Sequence, residues 1–200
     1  MAGLQERRRA ENRQRISDRP TRLFEAHGFE SLTLAQVSGA ADVSVKTVMN
    51  YFGAKEDLFF DAEPAILDAL LAVIPASAAG PATELLRPLI LNGPILAGPC
   101  PWKAADEQML DAMRTWAQCE RNSPTLMARR ATLMQSWIEP LASVSGSEPW
   151  PAMLVGVLVL RHHLVQDGLI AGNTPRQVQR RITGTIGKAL DALERGIQTT

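Results

Sequence analysis

The chain has 200 residues, of which 46% are apolar and 5% aromatic, and its 21 basic residues balance 21 acidic ones. This composition excludes a disordered chain, and the length suits one helical domain or a small domain fused to a larger one. The zero net charge suggests no partner for the chain as a whole. Seven arginines between residues 7 and 22 make the N-terminal end a candidate phosphate-binding arm, although most such ends are solvated tails.

The remaining composition argues against export, membrane insertion and metal chemistry. Cys100 and Cys119 are too few and too far apart for a disulfide framework or a zinc motif. No apolar signal core follows the N-terminal charges, and the apolar run from 153 to 160 is too short to span a bilayer. The adjacent His162 and His163 point about 100° apart on a helix, which does not suit a shared metal. We expect a cytoplasmic protein with no membrane partner, metal or cofactor.

The first predicted helix lies between residues 13 and 27. Apolar residues recur there at helical spacing, and Gly28 follows where a C-cap glycine belongs. Pro20 would be costly in a helix interior. The pattern therefore predicts that the ordered helix begins with Ser17 as its N-cap and holds Pro20 in its first turn.

The next two predicted helices are short and closely spaced. Thr33 and Gln36 have capping-box spacing before a helix from Leu34 to about Ala41. Asp42 tolerates left-handed backbone angles, which suits a tight turn. Ser44 then caps a helix that continues to Phe52. Helix, short turn and helix in this order predict a helix-turn-helix, whose second helix enters a DNA major groove.

The second of these helices sorts its side chains into two arcs. At about 100° per residue, Val45, Val48, Met49 and Phe52 share one arc, which predicts a packed face. The opposite arc carries polar groups rather than the Glu/Lys mixture of a merely solvated face. These are Lys46, Thr47, Asn50 and Tyr51.

The rest of the chain reads as helices only. A helix from about Ala54 should bend at Pro64, and a short piece is expected from 84 to 91. Longer helices are predicted at 102–121, at 124–143 and at 151–167, with Gly168 ending the last. The final helix has Thr174 as N-cap. We predict an all-α protein with a three-helix DNA-binding domain at 1–53 and a helical-bundle domain at 54–200.

The segment RLFEAHGFESLTLAQVSGAADVSVKTVMNYFGAKEDLF, Arg22 to Phe59, resembles the tetracycline-repressor (TetR) family of bacterial transcription regulators. HGFE, T-L-x-x-V, VSVKT, NYF and KEDL stand in that family's order and spacing. The resemblance covers the first quarter to third of the chain. Departures include Ser38 for the usual Ala, Asp42 for Gly, and Met49 at a position that is often aromatic.

The resemblance implies which residues contact double-stranded DNA. Lys46 and Asn50 are expected to read base edges, because Lys suits guanine and Asn suits adenine. Tyr51 and Lys55 are expected to bind phosphates, although Tyr51 could instead pack on the first helix. The full predicted set is Thr33, Ser44, Val45, Lys46, Thr47, Asn50, Tyr51 and Lys55.

The resemblance also implies a homodimer in which the last two helices pair with their copies. A dimer would carry two recognition helices for a palindromic operator. The predicted interface consists of Leu158, His162, Ile182, Ile186, Leu190 and Leu193.

An apolar effector pocket is the corresponding prediction for the middle helices, with ordinary core packing as the alternative. Its expected lining is Trp102, Met109, Met113, Trp116, Met134 and Trp137. The resemblance then implies a repressor that an apolar or aromatic effector releases from DNA by moving the fourth helix. Alternatives are a DNA-binding regulator without an effector, or a helical small-molecule-binding protein or enzyme without DNA binding. No G-x-S-x-G, H-E-x-x-H or phosphate-binding glycine loop supports catalysis, so we expect no enzyme.

Overall fold

The structure, a computed structural model, describes residues 12–13, 16–17, 20, 23–24, 26–74, 83–93, 106–145 and 149–198. Over these residues it contains helices and no strand, which confirms the all-α prediction. The first helix, α1, comprises the helical residues described between 12 and 27. The others are α2 Leu34–Ala40, α3 Val45–Phe52, α4 Glu56–Phe59, α5 Glu63–Val73, α6 Thr83–Asn92, α7 Glu107–Arg121, α8 Pro124–Ser136, α9 Ile138–Ser145, α10 Pro149–Ile170 and α11 Pro175–Gln198.

Helix α1 differs from its prediction at its start. Asn12 and Arg13 are already helical, so Ser17 is not the N-cap, and both Ser17 and Pro20 are buried. Packing of this face therefore outweighs the local cost of the proline. The predicted end is confirmed, because Gly28 has φ +77° and its N–H donates to the Phe24 carbonyl at 2.9 Å.

Two predicted helices are broken where a proline removes a backbone donor. A proline also clashes with the carbonyl four residues earlier. Pro64 therefore excludes Phe60 from a continuous helix, and α4 ends at Phe59 before α5 begins at Glu63. Pro140 acts in the same way on Ser136, where α8 ends before α9 begins.

Gly168 does not end α10, contrary to the sequence prediction. It lies inside the helix, and a Cβ at this position would stand 2.6 Å from Cγ2 of Val178. The glycine instead allows α10 and α11 to approach closely. Helix α10 ends at Ile170, and Gly172 two residues later has the φ of +72° that suits the left-handed residue following a helix.

The chain forms two compact units whose limits differ from the predicted 1–53 and 54–200. Unit 1 comprises Met1–Asp61 with Gln118–Arg129, and unit 2 comprises Ala62–Ala117 with Arg130–Thr200. Helix α4 belongs to unit 1 because Leu58 and Phe59 are buried there with the N-terminal helices. The chain passes between the units within α7 and within α8.

The core of unit 2 is built mainly from α10 and α11. Trp150 anchors it, with its indole N–H donating to Oγ1 of Thr83 at 2.8 Å. Arg87 of α6 bonds Asp191 of α11 at 2.7 Å. By length and composition α10 could cross a membrane, but 56% of its most apolar 18-residue window is buried in the structure. Burial in a helical core is the usual reason for such a helix in a globular unit.

The residues predicted for the dimer interface are buried within a single chain. Leu158, Ile182, Ile186 and Leu190 are fully buried in the core of unit 2, and His162 and Leu193 are 2% exposed. A stripe at helical spacing indicates a buried face without saying which helix covers it. In this chain the predicted interface residues of α11 pack with α10 in the core of unit 2, so they are already covered within the single chain.

Candidate nucleic-acid interface

Helix α2 begins with the predicted capping box. Oγ1 of Thr33 accepts from the Gln36 N–H at 3.3 Å, and the Gln36 side chain accepts from the Thr33 N–H at 2.8 Å. The Thr33 hydroxyl itself donates to Oε1 of Gln36 at 2.8 Å. This internal bond uses the hydroxyl hydrogen of Thr33, which stands in the predicted DNA-contacting set.

The turn between α2 and α3 accommodates both departures from the usual residues. Asp42 adopts φ +55°, as predicted, and the Val43 N–H donates to the Ser38 carbonyl at 3.1 Å. Ser38 is buried, but its hydroxyl donates to the Leu34 carbonyl at 2.7 Å and is therefore satisfied. Neither residue prevents the helix pair from forming.

Helix α3 is capped by Ser44, whose Oγ accepts from the Thr47 N–H at 3.0 Å. Val48 and Phe52 are buried and fix which side of α3 faces the domain. Unit 1 also contains a cluster of aromatic rings, in which Phe24 and Phe29 have centroids 5.1 Å apart and Phe29 meets Phe59 edge-on. The opposite side of α3 is therefore held outward by a packed core.

The outward side of α3 is wider than the sequence analysis predicted. Lys46 and Asn50 are exposed at its centre, as expected. Val45 and Met49 were assigned to the packed arc, but they are 40% and 42% exposed. They are therefore not packed, because an eight-residue helix covered on one side buries only the residues nearest the core, here Val48 and Phe52. Exposure of Val45 agrees instead with its place in the predicted DNA-binding set.

Arg13 holds the C-terminal end of α3. Its Nη1 donates to the Tyr51 carbonyl at 2.7 Å, and its guanidinium lies 4.4 Å from the centre of the Phe52 ring. A cation suits the last turn of a helix, where the carbonyls are otherwise unsatisfied. Arg13 was expected to belong to an arginine-rich arm, and no local pattern linked it to α3.

Lys55 is also engaged inside unit 1, although it was predicted to bind phosphate. Its Nζ donates to the carbonyls of Phe29 at 2.9 Å and Leu32 at 2.7 Å. It also lies 4.0 Å from the centre of the Phe29 ring. These contacts favour a structural role, in which Lys55 ties the loop before α2 to the start of α4.

Tyr51 is half-buried, with its ring centroid 6.5 Å from that of Phe52. Thr47 is half-buried as well, and its hydroxyl lies 2.9 Å from that of Ser44. These residues border the exposed centre of α3 on the side opposite Val45 and Met49. Their partly exposed hydroxyl groups remain compatible with contacts to phosphates.

A second group of contacts, missed by the sequence analysis, fixes the turn between α7 and α8 within unit 1. Glu30 accepts from the Ser123 hydroxyl at 2.5 Å and from the N–H of Thr125 at 3.2 Å. The hydrogen bond from Ser123 is the main cause that lowers the pKa of the Glu30 carboxyl. Asp57 of α4 pairs with Arg129 at 2.6 Å. The partners are about 70 to 95 residues apart in sequence, so no local pattern could reveal them.

Residues 18–62 match the sequence family of bacterial regulatory proteins called the tetR family. These residues span the aromatic cluster, the capped α2–α3 pair and α4. The chain carries a TetR-family DNA-binding domain.

Two solved structures are similar to the chain at low sequence identity. One is from Mesorhizobium loti and is named as a candidate TetR-family transcriptional regulator. It is 15% identical, with 93% of this chain and 96% of that chain covered and a TM-score of 0.49. The other is a transcriptional regulator from Rhodococcus sp. Rha1, 20% identical, with coverage of 90% and 96% and a TM-score of 0.46. No curated protein matches the chain.

The residues predicted to line an effector pocket lie outside the TetR-family domain. Some of them are buried in the core of unit 2, whereas others are partly exposed. Met134 and Trp137 are buried in the core of unit 2, and Met113 packs against it. Met109 is 38% exposed, and Trp116 is half-buried with the Arg130 guanidinium 6.0 Å from its ring. Trp102 lies outside the described residues. A surface depression of about 400 Å³ is found elsewhere, and its described lining is Pro175, Arg176, Gln179 and Arg180.

Proposed function

We propose that this protein is a sequence-specific DNA-binding transcriptional regulator of the cytoplasm, acting as a repressor at a palindromic operator. The observation that carries the proposal is helix α3 of the TetR-family domain. Lys46 and Asn50 stand exposed at the centre of its outward face. Helix α3 contains no acidic residue, so nothing on it repels a phosphate backbone.

The proposed roles of these residues, base contact or phosphate contact, follow from their side-chain chemistry. Lys46 donates to guanine O6 or N7, and Asn50 forms a bidentate pair with adenine N6 and N7. Ser44, Thr47 and Tyr51 border this face and contact phosphates, which set the register of the helix without reading sequence. Arg13 and Lys55 support the interface from behind through the Tyr51, Phe29 and Leu32 carbonyls.

We assign the homodimer interface to the outer face of α10. Met153 and Leu160 are 45% and 39% exposed, and Gly156 and His163 are exposed between and beyond them. Steps of three, four and three place the four on one face of the helix. Apart from its two neighbours in sequence and the backbone of α10, no atom of the described residues lies within 4 Å of a Cβ built on Gly156, so a second helix could approach there. A second copy of α10 is the proposed occupant.

The proposed route from an effector to the DNA-binding domain runs along α7 and α8. These helices contribute residues to both units. A shift in either helix would act on the turn at Ser123, which Glu30 holds, and on Arg129, which Asp57 holds. This route includes the fourth helix, whose movement the resemblance implies, because Asp57 lies on α4. Coupling of this kind needs two arrangements with different affinity for DNA.

The effector itself is proposed as a small apolar or aromatic molecule. Half-buried Trp116 and Met113 on one face of α7 support such a ligand. A second candidate is a DNA-binding regulator without an effector. It is favoured by Met134 and Trp137, which are packed in the core rather than arranged around a described cavity.

The proposed function is tested by selecting binding sites from random double-stranded DNA with the full-length protein. The proposal predicts enrichment of one inverted repeat by the wild-type protein. The double variant Lys46→Ala, Asn50→Ala should enrich no sequence while unfolding at the same urea concentration. Weak binding without enrichment by the wild-type protein would refute sequence-specific regulation.

A regulator with an effector is distinguished from one without by a thermal-shift screen of apolar and aromatic compounds. The compounds that bind are then tested for competition against the selected DNA. A compound that raises the melting temperature and releases the DNA would establish the effector. Because binding and release are linked, the same compound must bind the DNA complex more weakly. If compounds bind without changing DNA affinity, the effector-free version stands.

A further inference from the structure

Val45 and Met49 form an apolar pair on the exposed side of α3. Their side chains are 40% and 42% exposed, whereas Val48 and Phe52 on the same helix are buried. Residues four apart in a helix are neighbours on its surface. Removing the apolar surface of these Val and Met side chains from water is favourable in free energy.

The position of the pair within the helix indicates what covers it. Val45 and Met49 lie directly beside Lys46 and Asn50, the residues proposed to read base edges, and α3 carries no acidic residue. A surface that combines one cation, one amide and no carboxylate suits a polyanion better than a second protein surface. Any duplex bound by Lys46 and Asn50 would therefore lie against Val45 and Met49 too.

The major groove offers one apolar group to such a pair, the 5-methyl group of thymine. Residues four apart rise about 6 Å along the helix axis, and stacked bases are separated by about 3.4 Å. The two side chains can therefore reach methyl groups within about two base steps. Met adapts its shape to such a contact, whereas Val offers a stiff branched surface.

We propose that Val45 and Met49 are specificity-determining residues that read thymine methyl groups in the operator. This inference rests on the proposed function. It extends the reading of the operator beyond hydrogen bonding, since each half-site then contains one or two thymines recognised through their methyl groups. It also gives a role to the exposed side chain of Met49.

The test removes the methyl groups from the DNA. In the selected operator, each thymine is replaced singly by deoxyuridine, which keeps every hydrogen bond, and affinity is measured for the full-length protein. Burial of one methyl corresponds to about fourfold in affinity, from roughly 0.8 kcal/mol per buried carbon group. We expect a loss of that size at one or two positions per half-site for the wild-type protein.

The matching protein variants are Val45→Ala and Met49→Ala. Each should bind the natural operator more weakly and should abolish the deoxyuridine penalty at its own position. Met127→Ala is the matched control, because Met127 is a 51% exposed methionine on α8 of the same unit. It should leave both the affinity and the penalties unchanged.

The outcomes separate the inference from the function on which it rests. If the wild-type protein enriches an operator but no deoxyuridine substitution changes affinity by twofold, the methyl-reading role is overturned and DNA recognition stands. The same holds if the penalties persist in both alanine variants, or if these variants change self-association instead of DNA affinity. If no operator is enriched, the proposed function fails and the inference fails with it.

Discussion

Lys55 stands at a position that was expected to bind a DNA phosphate, but in this domain its side chain forms contacts within unit 1. By position it was expected to bind phosphate, but its ammonium group is held by the Phe29 and Leu32 carbonyls and covers the Phe29 ring. Charge-assisted bonds to two carbonyls stabilise the loop that leads into α2. The sequence placed Lys55 near the proposed DNA interface. Only the fold shows that its ammonium group binds backbone carbonyls.

A first prediction concerns this residue. Lys55→Met keeps most of the side-chain volume and removes the charge, so two carbonyls lose their donor. We expect the free energy of unfolding to fall by about 1–3 kcal/mol, measured by urea denaturation. The salt dependence of DNA binding should not change, because no phosphate contact is lost.

Lys46→Met provides the matched comparison for Lys55. Lys46 is exposed on α3, so its removal should leave stability within about 0.5 kcal/mol of the wild type. It should weaken DNA binding instead. If Lys55→Met lowers the salt slope by about one unit and leaves stability intact, the original phosphate assignment is right.

Asn50 gives a second prediction at the same scale. Asn50→Ala removes a bidentate donor and acceptor from the exposed centre of α3. Operator binding should weaken by about 1–3 kcal/mol, and the preference at one base position per half-site should relax. Competition with single-base variants of the operator measures both effects. An equal loss of affinity for all sequences would show that Asn50 does not read a base.

At the scale of elements, local signals predicted the helix-turn-helix well. Thr33 and Ser44 cap their helices as expected, and Asp42 makes the predicted left-handed turn. These caps and this turn are determined by residues close together in sequence, so a sequence pattern can predict them. The break at Trp137 also has a local cause in Pro140, but the predicted helix at 124–143 was drawn through this proline.

Contacts between distant elements were not predictable in this way. The bonds from Glu30 to Ser123 and Thr125 join parts of unit 1 that are more than 90 residues apart. Nothing in either segment by itself indicates the other, because Glu, Ser and Thr in these positions form no local pattern. The Arg13 contact with the end of α3 is of the same kind.

The Glu30 contact makes a prediction about pH. Its carboxylate is hydrogen-bonded in the folded protein, which lowers its pKa. The contact is therefore complete above the unfolded glutamate pKa of about 4.3 and is lost as pH falls through the lower folded value. Hydrogen exchange of the Thr125 amide, which donates to Glu30, should lose protection over that range.

Glu30→Gln should reduce the protection of the Thr125 amide at neutral pH and remove its dependence on pH. Glu139→Gln changes an exposed carboxylate in unit 2 and serves as the control. Unaltered protection in Glu30→Gln would show that the turn between α7 and α8 is held by other contacts.

For the molecule as a whole, the spacing of apolar residues did not show which surface is free to meet a second copy. The α11 stripe from Val178 to Leu193 correctly indicated a buried face, but that face packs inside the chain. Hydrophobic spacing cannot tell burial against the same chain from burial against a copy. The exposed residues of α10 are visible only once the helices are packed, and they include Met153 and Leu160.

The proposed dimer is tested by Leu160→Glu, which places a charge on the outer face of α10. We expect a monomer in sedimentation equilibrium at micromolar concentration and weaker binding to the full inverted repeat, because one recognition helix is lost from each complex. Leu85→Glu, at a 50% exposed leucine on α6, is the control and should remain dimeric. A dimeric Leu160→Glu protein would place the interface elsewhere.

Helix α3 is proposed to read DNA in the major groove, and methylation protection on the selected operator shows which groove the protein occupies. Dimethyl sulfate modifies guanine N7 in the major groove and adenine N3 in the minor groove. We predict protection of guanine N7 in both half-sites by the wild-type protein, with protection at one guanine per half-site lost in Lys46→Ala. Protection confined to adenine N3, or an unchanged pattern in Lys46→Ala, would contradict the account.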